Sequence, residues 1–370
     1  MVASVTGPRP EDFLEIESVG ASLELIETPA PVIDLDVVER NVMRLQAWCD
    51  RLMLANRPHI KTHKSAGLAR YQIAMGAKGV TVQKLGEAEV MADHGIADLL
   101  LAYNIVGAAK LERLAALARR TAIRVVADNS LILEGLSYAA KRGGRSLGVL
   151  VECDTGAGRN GAQTPAAALE LARAITATPG LDFVGLMTYP KAGTRTAADE
   201  FLASAKRLCE AAGLPVTAIT TGGSPDQGRD EGLSVATEYR AGTSIYYDRS
   251  LVERGAAALA DCALTVHATI VSRPTPWRAI MDAGSKTLTS DLLGLENYGA
   301  VIGEPDAKIV RLDEEHGVIA LNGEGPPVGA RIRVLPNHVC PVSNLFAHVL
   351  LARGERLLGR MKVDARGRVD

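Results

Sequence analysis

Between residues 30 and 245, short β-branched apolar runs alternate with Ala/Leu/Arg-rich helical stretches. This alternation constrains the fold more than any other feature. Strands are predicted at NRPHIK (56–61), GVTVQ (79–83), DLLLAYN (98–104), IRVVADN (123–129), SLGVLVECD (146–154), FVGLMTY (183–189), AITTGG (218–223) and TEYRAG (237–242). Stretches such as GAAKLERLAALARR (107–120) read as the helices between them. Strands separated by helices pair in parallel through right-handed crossovers, and eight such units close into a (β/α)₈ TIM-type barrel. Several of these strands lack strict alternation, as expected of strands buried on both faces. The run 29–52 ahead of the barrel reads as a short strand and then a helix, with Asp34 or Asp36 as cap.

After about residue 260 the helical period fades. VHATIVSRP, WRAIMDAG, KIVRLDEEHGVIAL, ARIRVLP and NLFAHVLLA read as strands with turns between them. The expected organisation is an N-terminal segment (1–30) pairing with a β domain, a barrel (31–260) and a C-terminal mostly β domain (261–370). Lys+Arg number 41 against Asp+Glu 43, a net charge of -2, so neither a nucleic acid nor an anionic membrane is an expected partner. The five cysteines are scattered and odd in number, which suits a reducing cytoplasm better than a disulfide framework. No signal peptide or membrane span is expected. Trp48 and Trp277 are expected in the core, and His94, His267 and His348 as packing or surface residues. His316 is expected in a β-turn.

A barrel of this kind carries its active site at the C-terminal ends of its strands. Those ends are Lys61, Gln83-Lys84, Asn104, Asp128-Asn129, Asp154 with Thr155-Gly156-Ala157-Gly158-Arg159, Tyr189, Thr220-Thr221-Gly222-Gly223-Ser224 and Gly242-Thr243-Ser244. The last two can serve as tight βα turns or as an oxyanion cradle, in which glycine lets backbone N–H groups approach a phosphate and a following helix adds its dipole. Lys61, within Arg57-Pro58-His59-Ile60-Lys61-Thr62-His63-Lys64, is either part of a solvated basic turn or a lysine of lowered pKa able to form a Schiff base. A Schiff-base lysine opposite a phosphate cradle is what pyridoxal 5'-phosphate requires.

With these residues in order, the chain resembles the fold-type III pyridoxal-phosphate enzymes, and within them the D-threonine aldolase / D-serine dehydratase group. The matching landmarks are RPHIKTHK, VQKLGEAE, VECDTGAGRNG, TTGGS, YRAGTSIYYD, MDAGSK, EEHG and PNHVCP. The resemblance implies an alanine-racemase-like barrel with a β domain, and a lyase acting on small D-3-hydroxy amino acids as a cytoplasmic homodimer. It implies that Lys61 forms the Schiff base and that Arg159 reaches the cofactor's phenolic oxygen. Tyr189 would lie against the cofactor ring or substrate. Thr221, Gly222, Gly223, Gly242 and Thr243 would bind the phosphate with Tyr246 nearby, and Gln83 and Asn104 would line the pocket. In Pro336-Asn337-His338-Val339-Cys340-Pro341, an extended His-x-Cys would put both side chains on one face. The resemblance makes His338 and Cys340 ligands of a divalent metal (Zn, or Mn/Mg) that activates the substrate 3-hydroxyl.

One departure stands out. Family aldolases follow strand six with Tyr-His-Gly and a further histidine that serves as base. Here the run is Tyr189-Pro190-Lys191-Ala192-Gly193-Thr194-Arg195. Arginine cannot serve as that base: either the aldolase step uses another group, or the protein does not carry out that reaction in the usual way, or the substrate differs and Arg195 or Lys191 reads an acidic group on it. His-x-Cys and the absent histidines lean towards dehydration. A racemase and a non-catalytic pyridoxal-phosphate-binding protein are the alternatives. The β domain opposes the second, and the lack of a recognisable racemase pattern in it opposes the first.

Overall fold

The computed structural model describes residues 7–370. It divides into two compact units, one running from Arg44–Lys61 through Gln72–Gly242 with Arg368–Asp370, the other comprising the chain up to Met43, Thr62–Tyr71 and Thr243–Gly367. Segment 243–260 and the stretch 62–71 thus group with the β-rich unit.

In chain order, β1 (Ala30–Asp34) belongs to the second unit. The first unit holds β2 (Ala55–Asn56), β3 (Val80–Val82), β4 (Asp98–Leu101), β5 (Ala122–Ala127), β6 (Leu147–Cys153), β7 (Leu181–Thr188), β8 (Ala218–Thr221) and β9 (Glu238–Tyr239). They form one eight-stranded parallel sheet in the order β2-β9-β8-β7-β6-β5-β4-β3. Its two edges meet at a parallel bridge, His59 opposite Thr81, with Thr81 N donating to Pro58 O at 2.8 Å. This curls the sheet into the expected barrel.

Helix signals act locally between these strands. Asn129 caps Ser130–Gly143 by accepting from Ile132 N at 3.2 Å, and Thr164 caps Pro165–Ala177. Leu100, Val126, Leu150 and Met187 pack together as part of the barrel core. At the N-terminal ends of the strands, the Arg57 side chain is fully buried between Asp98 (2.8 and 3.0 Å) and Glu238 (3.1 and 3.3 Å), and Arg124 also binds Glu238 at 2.9 Å. A buried guanidinium is tolerated only when paired in this way.

The second unit is built on a nine-stranded sheet, β1 with β10 (Leu264–Thr275), β11 (Arg278–Met281), β12 (Ala300–Val301), β13 (Lys308–Leu312), β14 (Gly317–Ala320), β15 (Arg331–Leu335), β16 (His348–Arg353) and β17 (Arg356–Lys362). β1 pairs antiparallel with β10 and parallel with β16. In the segment before β1, Glu17 bridges Arg360, and Arg353 gathers Glu11, Asp36 and Glu39. Residues 1–6 of the expected N-terminal segment lie outside the described residues. After β1 the chain turns into the helix Leu35–Arg51, with Asp36 N donating to the Asp34 carboxylate at 2.9 Å.

Three sequence expectations are corrected. Trp277 is 62% exposed, at the tip of the β10–β11 hairpin, because the turn Thr275-Pro276-Trp277 has no apolar layer to enter. NLFAHVLLA begins as helix, and its strand starts only at His348. His338 and Cys340 do not lie on a strand. His338 is the N-cap of the helix Val339–Leu345 and Cys340 falls in its first turn. Pro341, third in that helix, is tolerated there because its missing N–H would have no intrahelical partner. Trp48, by contrast, is buried edge-on against Tyr239, with ring centroids 4.7 Å apart. Among the described residues no helix is long and apolar enough to cross a membrane, and all five cysteines are free.

Candidate functional site

Within the barrel unit, the C-terminal strand ends open into a cavity of about 550 Å³ lined by Gln83, Asn104, Glu152, Arg159 and Asn160, among others. The loop 154–161 is held from below. Asp154 accepts backbone N–H groups from Gly156 (3.0 Å), Gly158 (3.1 Å) and Arg159 (3.2 Å). These contacts keep its carboxyl below the usual range although burial opposes them. Arg159 lies over the Tyr189 ring at 5.3 Å and donates through Nε to Asn160 Oδ1 at 3.1 Å.

Lys61 follows β2 in a turn. Its backbone N–H reaches His59 Nδ1 at 3.4 Å, and His59 Nε2 is 3.0 Å from Gln83 Oε1. Gln83 in turn donates to Ala102 O at 2.9 Å. His59 therefore links the lysine turn to the pocket wall. Sequence reasoning did not single it out, although its position two residues before the lysine was a usable signal.

The glycine ends of β8 and β9 are close-packed. Gly222 has φ +96°, and a Cβ there would sit 2.2 Å from the Tyr239 ring. A Cβ on Gly223 would meet Tyr189 at 2.9 Å. Gly242 is half-buried just beyond β9. The expected helix N-termini are not there. Each glycine end is followed by a single 3₁₀ turn, Ser224–Asp226 and Thr243–Ile245, so any cradle relies on backbone N–H groups without a long helix dipole. Pro225 inside the first turn removes one donor.

Several buried polar atoms in this unit have no hydrogen-bond partner: Asn104 Oδ1, Glu152 Oε2, Thr220 Oγ1, Thr221 Oγ1 and Arg240 Nε. Native interiors leave few such atoms unpaired. Their clustering near the C-terminal strand ends is what a polar ligand would satisfy. Glu152 and Arg240 were not predicted as site residues. The available signal was a charged residue inside otherwise apolar strand sequence, VLVEC and EYRAG.

Arg195 does not face a ligand. It is buried, and it donates to the backbone carbonyls of Glu231 (2.6 Å), Asp226 (2.8 Å) and Arg229 (2.7 Å). Its fork is consumed in pinning the 226–231 loop, so the expectation that it reads an acidic substrate group is withdrawn. Lys191 is exposed.

Within the β-rich unit, His338 Nδ1 contacts Asp291 Oδ2 at 2.8 Å. Burial works against the charged imidazole, but hydrogen bonds to Cys340 and Asp291 outweigh it and lift the group to about 9. Cys340 Sγ lies 3.1 Å from Thr62 Oγ1 and 3.6 Å from Thr243 Oγ1. Asp248 fixes the turn by accepting from Val339 N at 3.2 Å. Tyr246 is fully buried, which raises its hydroxyl pKa. Among the described residues no group of three or more His, Cys, Asp or Glu could enclose a metal ion. His338 and Cys340 supply an imidazole and a thiol, donor types that a divalent metal accepts. The Asp291 contact orients the imidazole as outer partners of metal-bound histidines do.

Comparison with known proteins agrees with this architecture. The family described as "Alanine racemase, N-terminal domain" matches residues 33–250, and a "Putative serine dehydratase domain" matches 263–352. The chain belongs to the alanine-racemase-type barrel family, with a serine-dehydratase-type second domain, as the sequence resemblance implied. A D-threonine aldolase from Arthrobacter sp is 34% identical over 363 residues, 94% of this chain and 95% of its own. A 3-hydroxy-D-aspartate aldolase from Paracoccus denitrificans (strain Pd 1222) is 29% identical over 366 residues, 93% of each chain. The crystal structure of D-threonine aldolase from Filomicrobium marinum is similar with a TM-score of 0.88 at 30% identity, covering 96% of this chain and 100% of that one. The D-threo-3-hydroxyaspartate dehydratase from Delftia sp. HT23 gives a TM-score of 0.84 at 28% identity over 92% of this chain and 98% of its own. These relatives are lyases.

Proposed function

We propose that the protein is a pyridoxal-phosphate- and divalent-metal-dependent lyase of small D-3-hydroxy amino acids. The observation that carries this reading is the set of unpaired buried polar atoms near the C-terminal strand ends of the barrel, where Gly222 and Gly223 follow β8. The full-length relatives supply the substrate class. Bound pyridoxal phosphate supplies an electron sink at the substrate Cα, and the divalent cation supplies Lewis acidity at the 3-hydroxyl.

The chain's own residues then have defined tasks. Lys61 Nζ would hold the cofactor and, as a free amine, would take the proton from Cα in dehydration. By the family resemblance, Gly222, Gly223, Gly242, Thr221 and Thr243 would hold the phosphate, together with Tyr246. Arg159 orients the phenolic oxygen, with Tyr189 against the ring and Gln83 and Asn104 closing the pocket. His338 and Cys340 hold the cation. In dehydration the 3-hydroxyl takes up a proton and leaves as water, and hydrolysis of the resulting 2-imino acid by one water gives a 2-oxo acid and ammonia. In retro-aldol cleavage the Cα–Cβ bond breaks with net transfer of the 3-hydroxyl proton to Cα, giving an aldehyde and a smaller amino acid. Dehydration is favoured by Cys340 and by the run Tyr189–Arg195, which has no histidine and whose arginine is fully engaged. The retro-aldol reaction is favoured by the D-threonine aldolase match.

Purified protein incubated with D-serine, D-threonine or 3-hydroxy-D-aspartate, with and without EDTA, tests the reading. It expects 2-oxo acid, or aldehyde with glycine, formed only with metal present. Racemised substrate alone, or no turnover, would overturn it. Cytoplasmic location and a homodimer complete the proposal.

A further inference from the structure

The segment 289–299, between the helix Ser285–Leu288 and β12, has no helix or strand of its own. Three of its residues with side chains, Thr289, Leu293 and Asn297, take positive φ angles of 64°, 51° and 65°. The other non-glycine residues that do so, Met53, Lys64 and Tyr247, are scattered along the chain. A β-branched threonine in that region is a genuine outlier. Such a backbone persists only where contacts from outside over-determine it.

Those contacts come from Arg249 and Asn337, which belong to the same β-rich unit as the segment. Asn337 is 2% exposed and engages both ends of its amide. Its Nδ2 donates to Asn297 O at 2.8 Å and to Asp291 O at 3.3 Å, and its Oδ1 accepts from Arg249 Nη1 at 3.1 Å. Arg249 Nη1 also reaches Glu296 O at 2.8 Å. Two backbone bonds hold the pair together, Arg249 N to Pro336 O at 3.1 Å and Ser250 N to Asn337 O at 3.3 Å. The segment so held delivers the Asp291 carboxylate to His338 Nδ1 at 2.8 Å. The Asp291 side chain is 46% exposed, and a pair open to water on one side adds little to folding stability. What the contact fixes is the orientation of the imidazole.

We propose that Asn337 and Arg249 are positioning residues for His338, acting through Asp291. They set the register of the segment so that its carboxylate engages Nδ1, which makes Nε2 the ring nitrogen for a divalent cation. A carboxylate at Nδ1 fixes the tautomer and strengthens the imidazole as a donor. This rests on the metal reading above and deepens it, because it assigns tasks to residues that supply no ligand atom.

The test is a cobalt(II) titration of the full-length protein after its metal has been removed with a chelator. The thiolate charge-transfer and d–d bands of bound cobalt report the ligands and their geometry. Wild type, Asp291→Ala, Asn337→Ser and the double variant are compared, with circular dichroism as the check on folding. Each single variant is expected to fold, to bind cobalt ~10-fold more weakly and to shift the d–d bands. The double variant is expected to be no weaker than the weaker single one, because Asn337 acts through Asp291. Wild-type affinity with unshifted bands in either single variant, or additive losses reaching ~100-fold in the double variant, would overturn the proposal. If Asn337→Ser does not fold, Arg249→Gln takes its place in the cycle, with the same outcomes deciding. Absence of any cobalt band in the wild type would instead overturn the metal reading on which the proposal rests.

Discussion

Replacing Glu152 by glutamine should change how the stability of the barrel unit depends on pH. The carboxyl is raised from 4.5 to about 7, chiefly by burial. A raised folded-state pKa means the group's favourable contribution is fully present below 4.5 and is lost as the pH rises through 7. A shift of that size corresponds to ~3 kcal/mol. Glutamine keeps the volume but does not ionise. The stability difference between variant and wild type should therefore grow by ~3 kcal/mol in favour of the variant between pH 4.5 and pH 8. The assay is urea unfolding by circular dichroism at several pH values, on protein stripped of cofactor so that ligand linkage does not contribute. A difference that stays constant across this range would refute the reasoning. It would mean that the two arginines compensate the carboxylate fully.

Other outcomes follow from the same structure. Glu238→Gln leaves Arg57 buried with only Asp98 fully opposing it, and should cost about 3–5 kcal/mol in urea unfolding. Gly222→Ala forces an L side chain to φ +96° and into the Tyr239 ring, so it should abolish cofactor binding by fluorescence titration. Normal binding would remove Gly222 from the cradle. Arg195→Ala removes three charge-assisted bonds to backbone carbonyls, and should cost roughly 3 kcal/mol or more and open the 226–231 loop to limited proteolysis. His338→Ala and Cys340→Ala should each lower metal content, measured by elemental analysis after dialysis, by at least about 10-fold in affinity.

How much of this was legible in the sequence depends on the residue. The eight barrel strands were readable because their β-branched runs are buried on both faces and bounded by helical stretches. β2 and β9 are assigned only two residues each. Even so, Arg57 N bonds Tyr239 O and His59 N bonds Ala241 O, so the pairing runs on as far as the longer predicted segments imply. The glycine ends of β8 and β9 were readable too, but the short 3₁₀ turns after them were not. The helical period is silent about a single turn containing Pro225. His338-x-Cys340 was found as a pair but placed on the wrong backbone, since a two-residue spacing does not distinguish a strand from a helix N-cap. The Arg57–Glu238–Asp98 cluster and the pinning of Arg195 by carbonyls depend on closure of the barrel. They join residues far apart in the chain, and no local pattern reports them. Glu152 and Arg240 carry a local signal, a charge inside an apolar strand.

The central claim is that Lys61 carries the cofactor. The most direct test is borohydride reduction of protein reconstituted with pyridoxal phosphate, followed by peptide mass mapping. The account predicts one phosphopyridoxyl label, on Lys61, absent in Lys61→Ala. A label on another lysine, or none, would contradict it.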